Sequence, residues 1–422
     1  MNKPIIVAAL ALFSTVGVKA QSGTNSPYSQ YGIGILSDQS QGFSRGMNGV
    51  GLALRKGNVV NTLNPASYSA VDSLTMIFDV ALSGQITNFK EGNHRMNVKN
   101  ADFEYAVGSF RLFPKVGASF GIMPYSNIGY DYSVTQKLNE SFGSVPIEME
   151  GSGGLHQVFV GAGWNVVKPL SLGFNVAYLW GTIDRSVESG STTYIDDYSR
   201  GFYANVSSYL ITLGAQWVQP INAADHLTVG LTVGLGHKLR SNVEINNGDS
   251  IVFTDTQGLE LPMTYGLGLG WTHSNKLFLG ADFTLQKWGS VEFPGTVQQG
   301  AQKVYALRKD LLKDRYAVNI GADYVPNPSP TSRSFLGRVH YRLGLGFATP
   351  YYYINGQDGP KEFSVSAGFG IPLQNVWNNR SVLNVSAQWA RSSAKDLITE
   401  NTFRINLGLT FNERWFAKWK VD

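Results

Sequence analysis

Apolar and polar residues alternate strictly along Phe403-Arg-Ile-Asn-Leu-Gly-Leu-Thr-Phe411, with every odd position apolar and every even one Arg, Asn, Gly or Thr. A strand sends successive side chains to opposite faces, so one face here is hydrocarbon and the other polar or small. The same period returns in Leu277-Phe-Leu-Gly-Ala-Asp-Phe-Thr-Leu285, in Tyr316–Tyr324 and in Phe363–Leu373. Fourteen such runs are read between Leu74 and Phe411, among them Asp102–Phe113, Val116–Thr135, Leu155–Val167, Leu170–Ile183 and Ser208–Val218. Amphipathic strands of about ten residues in an even count, joined alternately by short and long connections, predict a transmembrane antiparallel β-barrel. Short turns fall at Pro114-Lys115, Lys168-Pro169 and His273–Lys276. Long loops fall at Lys137–Gly154, Asp184–Val206, His237–Gly258 and Gly289–Arg315. A soluble sandwich would also alternate, but its loop lengths need not. The even count and long first loop place both barrel termini on the periplasmic side.

Composition sharpens this picture. Residues 1–20 read as a signal peptide: Lys3, an apolar stretch from Ile5 to Val18, then Val18-Lys19-Ala20 as the cleavage site. The signal places the chain in the export pathway, and an exported barrel belongs in the bacterial outer membrane. No later stretch has the roughly twenty apolar residues of a membrane helix, so a membrane-embedded chain must be a closed barrel. Cysteine is absent, which excludes disulfides, thiolate metal sites and lipidation at Cys. The formal charge of +4 falls to +2 without Lys3 and Lys19, too little to argue for a nucleic-acid partner. Glycine (47 residues) and aromatics (12%) are plentiful while charge (15%) is sparse. Those are the proportions of a barrel with aromatic girdles, and with glycine where side chains would crowd wall or lumen.

The region before the strands, residues 21–71, is rich in Gly, Ser and Asn and has no period. It carries Gly42-Phe-Ser-Arg-Gly-Met-Asn-Gly-Val-Gly-Leu-Ala53 and then Asn64-Pro65-Ala66. A Gly-rich stretch followed by Asn-Pro-Ala just before a fourteen-stranded barrel resembles the N-terminal hatch of FadL-type outer-membrane transporters. The resemblance implies a barrel (72–411) plugged by that hatch (21–71) and passive uptake of small hydrophobic molecules such as long-chain fatty acids. It also implies a ligand resting near apolar hatch residues such as Tyr31, Ile33, Phe43 and Met47. The alternative within the same resemblance is a scaffold or shuttle barrel in protein secretion, with a secreted protein as partner. A polar-solute porin is a third reading, disfavoured by the plug. For Asn64-Pro65-Ala66, a gating role and a plain turn into the first strand both remain open.

The third strand holds Pro124 between Gly121 and Gly129. Proline cannot donate to a ladder and sits at edges, bulges or strand ends, so the readings are a gap in the wall or the end of a strand. In the FadL family a kinked third strand opens a lateral portal. Residues 412–422 form an aromatic and basic tail, where barrels often end on an aromatic residue read by the barrel assembly machinery.

Chemistry is weakly signalled. The six His are scattered without metal-binding spacing. His156 with Ser152 and His340 with Asp323 are the only pairings worth naming for catalysis, and the expectation is no enzyme, cofactor or metal. Acids at Asp184, Glu188, Asp196 and Asp197 are read as hydrated loop residues or a divalent-ion site. The segment Asp310–Asp314 is read as a solvated loop, with a short loop helix that attracts an anionic head group as the alternative. The partners implied are outer-membrane lipids, a hydrophobic small molecule and the assembly machinery.

Overall fold

A computed structural model describes residues 23–139, 143–189, 198–329, 334–373 and 381–414. Residues 1–20 and 415–422, hence the signal and most of the tail, lie outside them. Fourteen antiparallel strands form the wall: β1 Thr75–Glu91, β2 His94–Phe113, β3 Val116–Asn139, β4 Gly143–Val167, β5 Leu170–Ser189, β6 Tyr198–Pro220 and β7 Asp225–Gly234, then β8 Thr264–His273, β9 Leu277–Gln286, β10 Arg315–Tyr324, β11 His340–Ala348, β12 Lys361–Leu373, β13 Ser381–Ser393 and β14 Thr399–Arg414. Each pairs with its sequence neighbour, and β1 pairs with β14 from Thr75↔Arg414 to Lys90↔Thr399, which closes the barrel. Closure of β1 on β14 joins the two outer edges of the sheet, as strands in lipid require.

The period-2 pattern sorts as its chemistry demands. On β14, Phe403, Ile405 and Leu407 are about half exposed on the outer face, while Asn406 and Thr410 are buried inside. Leu267, Leu269, Leu279, Phe283, Val318, Ile320, Leu343 and Leu345 continue this apolar belt around β8 to β11. Such residues face outward, and none of the described residues covers them, as on the lipid-facing wall of a transmembrane barrel.

Two expectations are corrected. The segments read as loops at Lys137–Gly154 and Asp184–Val206 are largely strand: β3 to β6 run 20 to 25 residues, well beyond what a bilayer needs. A ribbon of Ser241–Asn247 and Ser250–Asp255 extends β6 within His237–Gly258. These extensions carry Ser, Thr and Glu where the membrane rows carry Leu and Phe, so an apolar period cannot reveal them. Asp310–Asp314 is not helical; Leu312 bridges to Tyr352 and is buried. The upper lumen is filled by an apolar cluster that includes Tyr28, Ile33, Leu155, Leu239, Trp288 and Tyr351, so the elongated strands and their connections close that end rather than shaping a cleft.

Residues 42–70 run around the inside of the wall. Their backbone passes Gly408, Gly344, Gly268, Gly214, Gly173 and Gly117 in turn, and a Cβ at any of these would meet the segment. Glycine suits these places by lack of space: at Gly344, Gly268, Gly173 and Gly117 a side chain would collide with the segment's backbone, and at Gly214 with Asn64 and Pro65.

Candidate functional site: a break in the wall

The β2–β3 ladder runs from Phe113↔Val116 to Ala106↔Ile122 and stops. Above it β2 pairs only with β1, up to Glu91↔His94. On its other side β3 stays paired with β4, with a register shift between Pro124 and Ser126. One extra residue on β3 bends it away from β2, as bulges do. Gly121 is the penultimate rung below the break, and a Cβ on it would press on Val107 and the Ala106 carbonyl. Pro124 sits at the bulge. Its carbonyl accepts a hydrogen bond from Gln39 Nε2 at 2.9 Å on the opened side. In an antiparallel ladder the N–H and C=O of one residue point the same way. The missing proline donor is therefore on the side that β2 has vacated, where it could not have paired.

The luminal segment occupies the vacated edge. Ile35 and Leu36 pair antiparallel with Asn127 and Ser126. Ser37 N–H donates to the Tyr125 carbonyl at 3.0 Å. Ser29 Oγ accepts from Gly129 N–H at 3.1 Å and lies 3.3 Å from its carbonyl, so Gly129 is held by the segment too. Gly23 lies between Asp102 of β2 and Asn127 of β3. The break begins level with an aromatic row: Pro124 pairs with His156, which pairs with Trp180, and Trp180 stacks on Tyr178. Stacked Trp and Tyr on the outer face mark a membrane interface, so the break lies at the edge of the apolar belt. Behind it is a cavity of about 420 Å³ with mixed lining, including Asp102, Glu104, Arg404, Glu400, Leu36 and Tyr352.

Asn64, Pro65 and Ala66 lie elsewhere, against β4 to β7. Asn64 Oδ1 accepts from Ala66 N–H at 3.1 Å and caps the turn Pro65–Ala70. Its Nδ2 donates to the Leu52 and Ala215 carbonyls at 2.9 and 3.1 Å, joining segment to wall. The four residues suggested as a ligand pocket are not brought together. Tyr31 stacks on Tyr352 at 5.1 Å, and Ile33 N–H donates to Tyr351 Oη at 3.1 Å, both in the upper cluster. Met47 is fully buried against Gly321 and Gly344. Phe43 borders a cavity at the short-turn end, separate from the one behind the break.

Charged residues hold the segment, and of their pairings the sequence reading names only His340 with Asp323. Arg45 pairs with Glu104 at 2.9 Å, both buried. Asp282 accepts from Gly51 and Leu52 N–H at 2.7 and 2.9 Å. Asp323 takes Lys56 at 2.8 Å, His340 at 2.9 Å and Arg342 at 3.1 Å. The signal available was an acid or base on the inward, otherwise small-residue face of a strand, where an unpaired charge would be costly. The His340–Asp323 pairing is real in geometry, but the carboxylate is claimed by two further cations. His156 instead stacks on Trp180 on the outer face. Asp184 and Glu188 are exposed, Asp196 and Asp197 lie outside the described residues, and no metal-binding cluster occurs among the described ones.

The chain matches the family model described as BamG over residues 1–422. It belongs to the BamG family. Solved structures show that this BamG-family chain has the FadL-type outer-membrane barrel fold. The toluene transporter TbuX of Ralstonia pickettii superposes with a TM-score of 0.58 at 14% identity, over 90% of this chain and 99% of that one. A FadL homologue of Pseudomonas aeruginosa gives 0.58 at 12% identity, over 90% and 99%. The toluene transporter TodX of Pseudomonas putida gives 0.59 at 13% identity, over 91% and 100%. No curated protein matches.

Proposed function

We propose that this barrel passes small hydrophobic molecules between its lumen and the outer membrane through the break between β2 and β3. The observation that carries this reading is the ladder that stops at Ala106↔Ile122, with a cavity behind it and only a two-residue pairing, Ile35–Leu36, across the vacated edge. The fold shared with the toluene transporters TbuX and TodX supports it. Fatty acids or similar compounds are the finer substrate class, and the short-turn end, with the barrel termini, faces the periplasm. Passage is passive and requires residues 23–39 to move aside. Pro124→Val restores a donor on the vacated side, so β2 and β3 can zip further. Uptake of a hydrophobic probe by cells should then fall severalfold while barrel abundance holds; unchanged uptake removes the portal.

A second reading has its own observation: the upper lumen is packed and the luminal segment is pinned by buried ion pairs. A sealed barrel suits a scaffold, partnering a secreted protein or the barrel assembly machinery to which the family name BamG alludes. A deletion strain separates the two. Loss of hydrophobic uptake with normal outer-membrane protein levels supports passage, and the opposite pattern supports the scaffold.

A further inference from the structure

We propose that the cavity at the short-turn end is a binding site for a phosphate group. The assignment needs only this cavity and holds whether the barrel transports or scaffolds. The cavity encloses about 860 Å³, far from the break. Its wall combines apolar surface from Phe43, Leu54 and Phe278 with Arg55, Lys56, Lys276, Arg338 and Arg342. Five fixed cations thus face two carboxylates, Asp72 and Asp323. Asp79, which accepts from Tyr105 and Thr410 just behind the wall, leaves the balance positive.

Arg342 is the decisive group. Its side chain is 1% exposed. Nε donates to Asp323 at 3.1 Å and Nη1 to Asn384 Oδ1 at 2.7 Å. Nη2 is buried and has no hydrogen-bond partner among the described residues. An unmade bond from a buried charged donor costs more than from a neutral one, and native proteins rarely leave one. Lys56 joins it: its ammonium lies 4.4 Å, and the Arg342 guanidinium 4.0 Å, from the Phe43 ring centre. Asp323 holds both cations in place and so pre-orients them. An anion entering here meets spare donors on Lys56, with the Arg342 guanidinium buried beside it and its Nη2 packed against Gly370. The excess of positive charge favours a doubly charged phosphate monoester over a single carboxylate, and a guanidinium suits phosphate oxygens. The apolar wall beside it suits an alkyl body on that phosphate.

Isothermal titration of the full chain in dodecyl maltoside and phosphate-free buffer tests this, with inorganic phosphate, decyl phosphate and decanoate as probes. Decyl phosphate should bind about tenfold tighter than decanoate, and Lys56→Gln should weaken it about tenfold, the loss of one charge-assisted bond. Arg342→Lys keeps the charge beside Asp323 while removing the fork, and should weaken it similarly; Arg338→Gln provides a rim variant that leaves the Asp323 cluster intact. Heat-modifiable migration on gels verifies that each variant is folded. Equal affinity for inorganic and decyl phosphate identifies a free ion as the source, and tighter decyl phosphate a lipid-like head group. Binding of neither, unchanged affinity in the folded variants, or equal binding of decanoate or an acidic peptide overturns the site.

Discussion

Two parts of the same N-terminal stretch meet the barrel by different physics. Residues 42–70 fit against bare glycines around the wall and are pinned by buried charge, as at Asp282 and Asp323. Residues 23–39 instead lie along an open strand edge, held by a two-residue pairing and by side-chain hydrogen bonds such as Ser29 to Gly129. The first fit leaves no slack, because backbone packed on Cα atoms cannot shift without a clash. The second can exchange its edge bonds for water or another strand at about 1 kcal/mol each, although Tyr28 and Ile33 anchor it in the upper apolar cluster. Any movement at the break would therefore fall on the edge contacts of residues 23–39 before the more tightly seated floor of residues 42–70.

The largest expected effect tests the floor's charge. Asp323→Ala strips Lys56, His340 and Arg342 of their shared acceptor, and removing one partner of a buried pair costs ~3–5 kcal/mol. Urea unfolding followed by tryptophan fluorescence should show it as an earlier midpoint, and a shift equal to that of an exposed-loop control would break the comparison. Gly117→Val drives a side chain against the Tyr68 carbonyl and should cost about 1–3 kcal/mol, whereas Gly84→Ala, with open space at its Cβ, should move the midpoint little. If the two glycine variants behave alike, the glycine ring is not what seats the floor. Asp282→Asn keeps the acceptor oxygen but removes its charge, and should cost about 1 kcal/mol in the same assay. The smallest effect is on the movable part. Ser29→Ala removes the contact with Gly129 at about 0.5–1.5 kcal/mol locally. It should leave the global midpoint in place while hydrogen exchange at Gly129 quickens. Slower exchange there would mean that the edge is held by something other than Ser29.

Much of the wall was readable from residue order. The alternation in Phe403–Phe411 and Leu277–Leu285 places those strands to within a few residues, because lipid on one side and lumen on the other demand a strict period. The last strand runs on to Arg414, past the Phe411 read as its end. Upper β3 to β6 escaped the reading, since above the lipid both faces are polar or mixed and the period fades. At the site, Pro124 pointed to a bulge because proline lacks a donor wherever it is placed. Tyr31, Ile33, Phe43 and Met47 are apolar and near the hatch motif, yet they scatter to the upper cluster, the short-turn-end cavity and the wall. Residues 21–71 have no period, so nothing local tells which way each side chain faces.

The sequence by itself determined the barrel and its closing strand count, because those follow from side-chain alternation, while Pro124 left a gap and a strand end both open. Only the tertiary structure decided what the abundant glycine is for and which charges meet. Gly117 and Gly408 are not turn residues but seats for another stretch of chain. Asp323 gathers cations from positions 56, 340 and 342, and a partner so distant in sequence leaves no trace in local pattern.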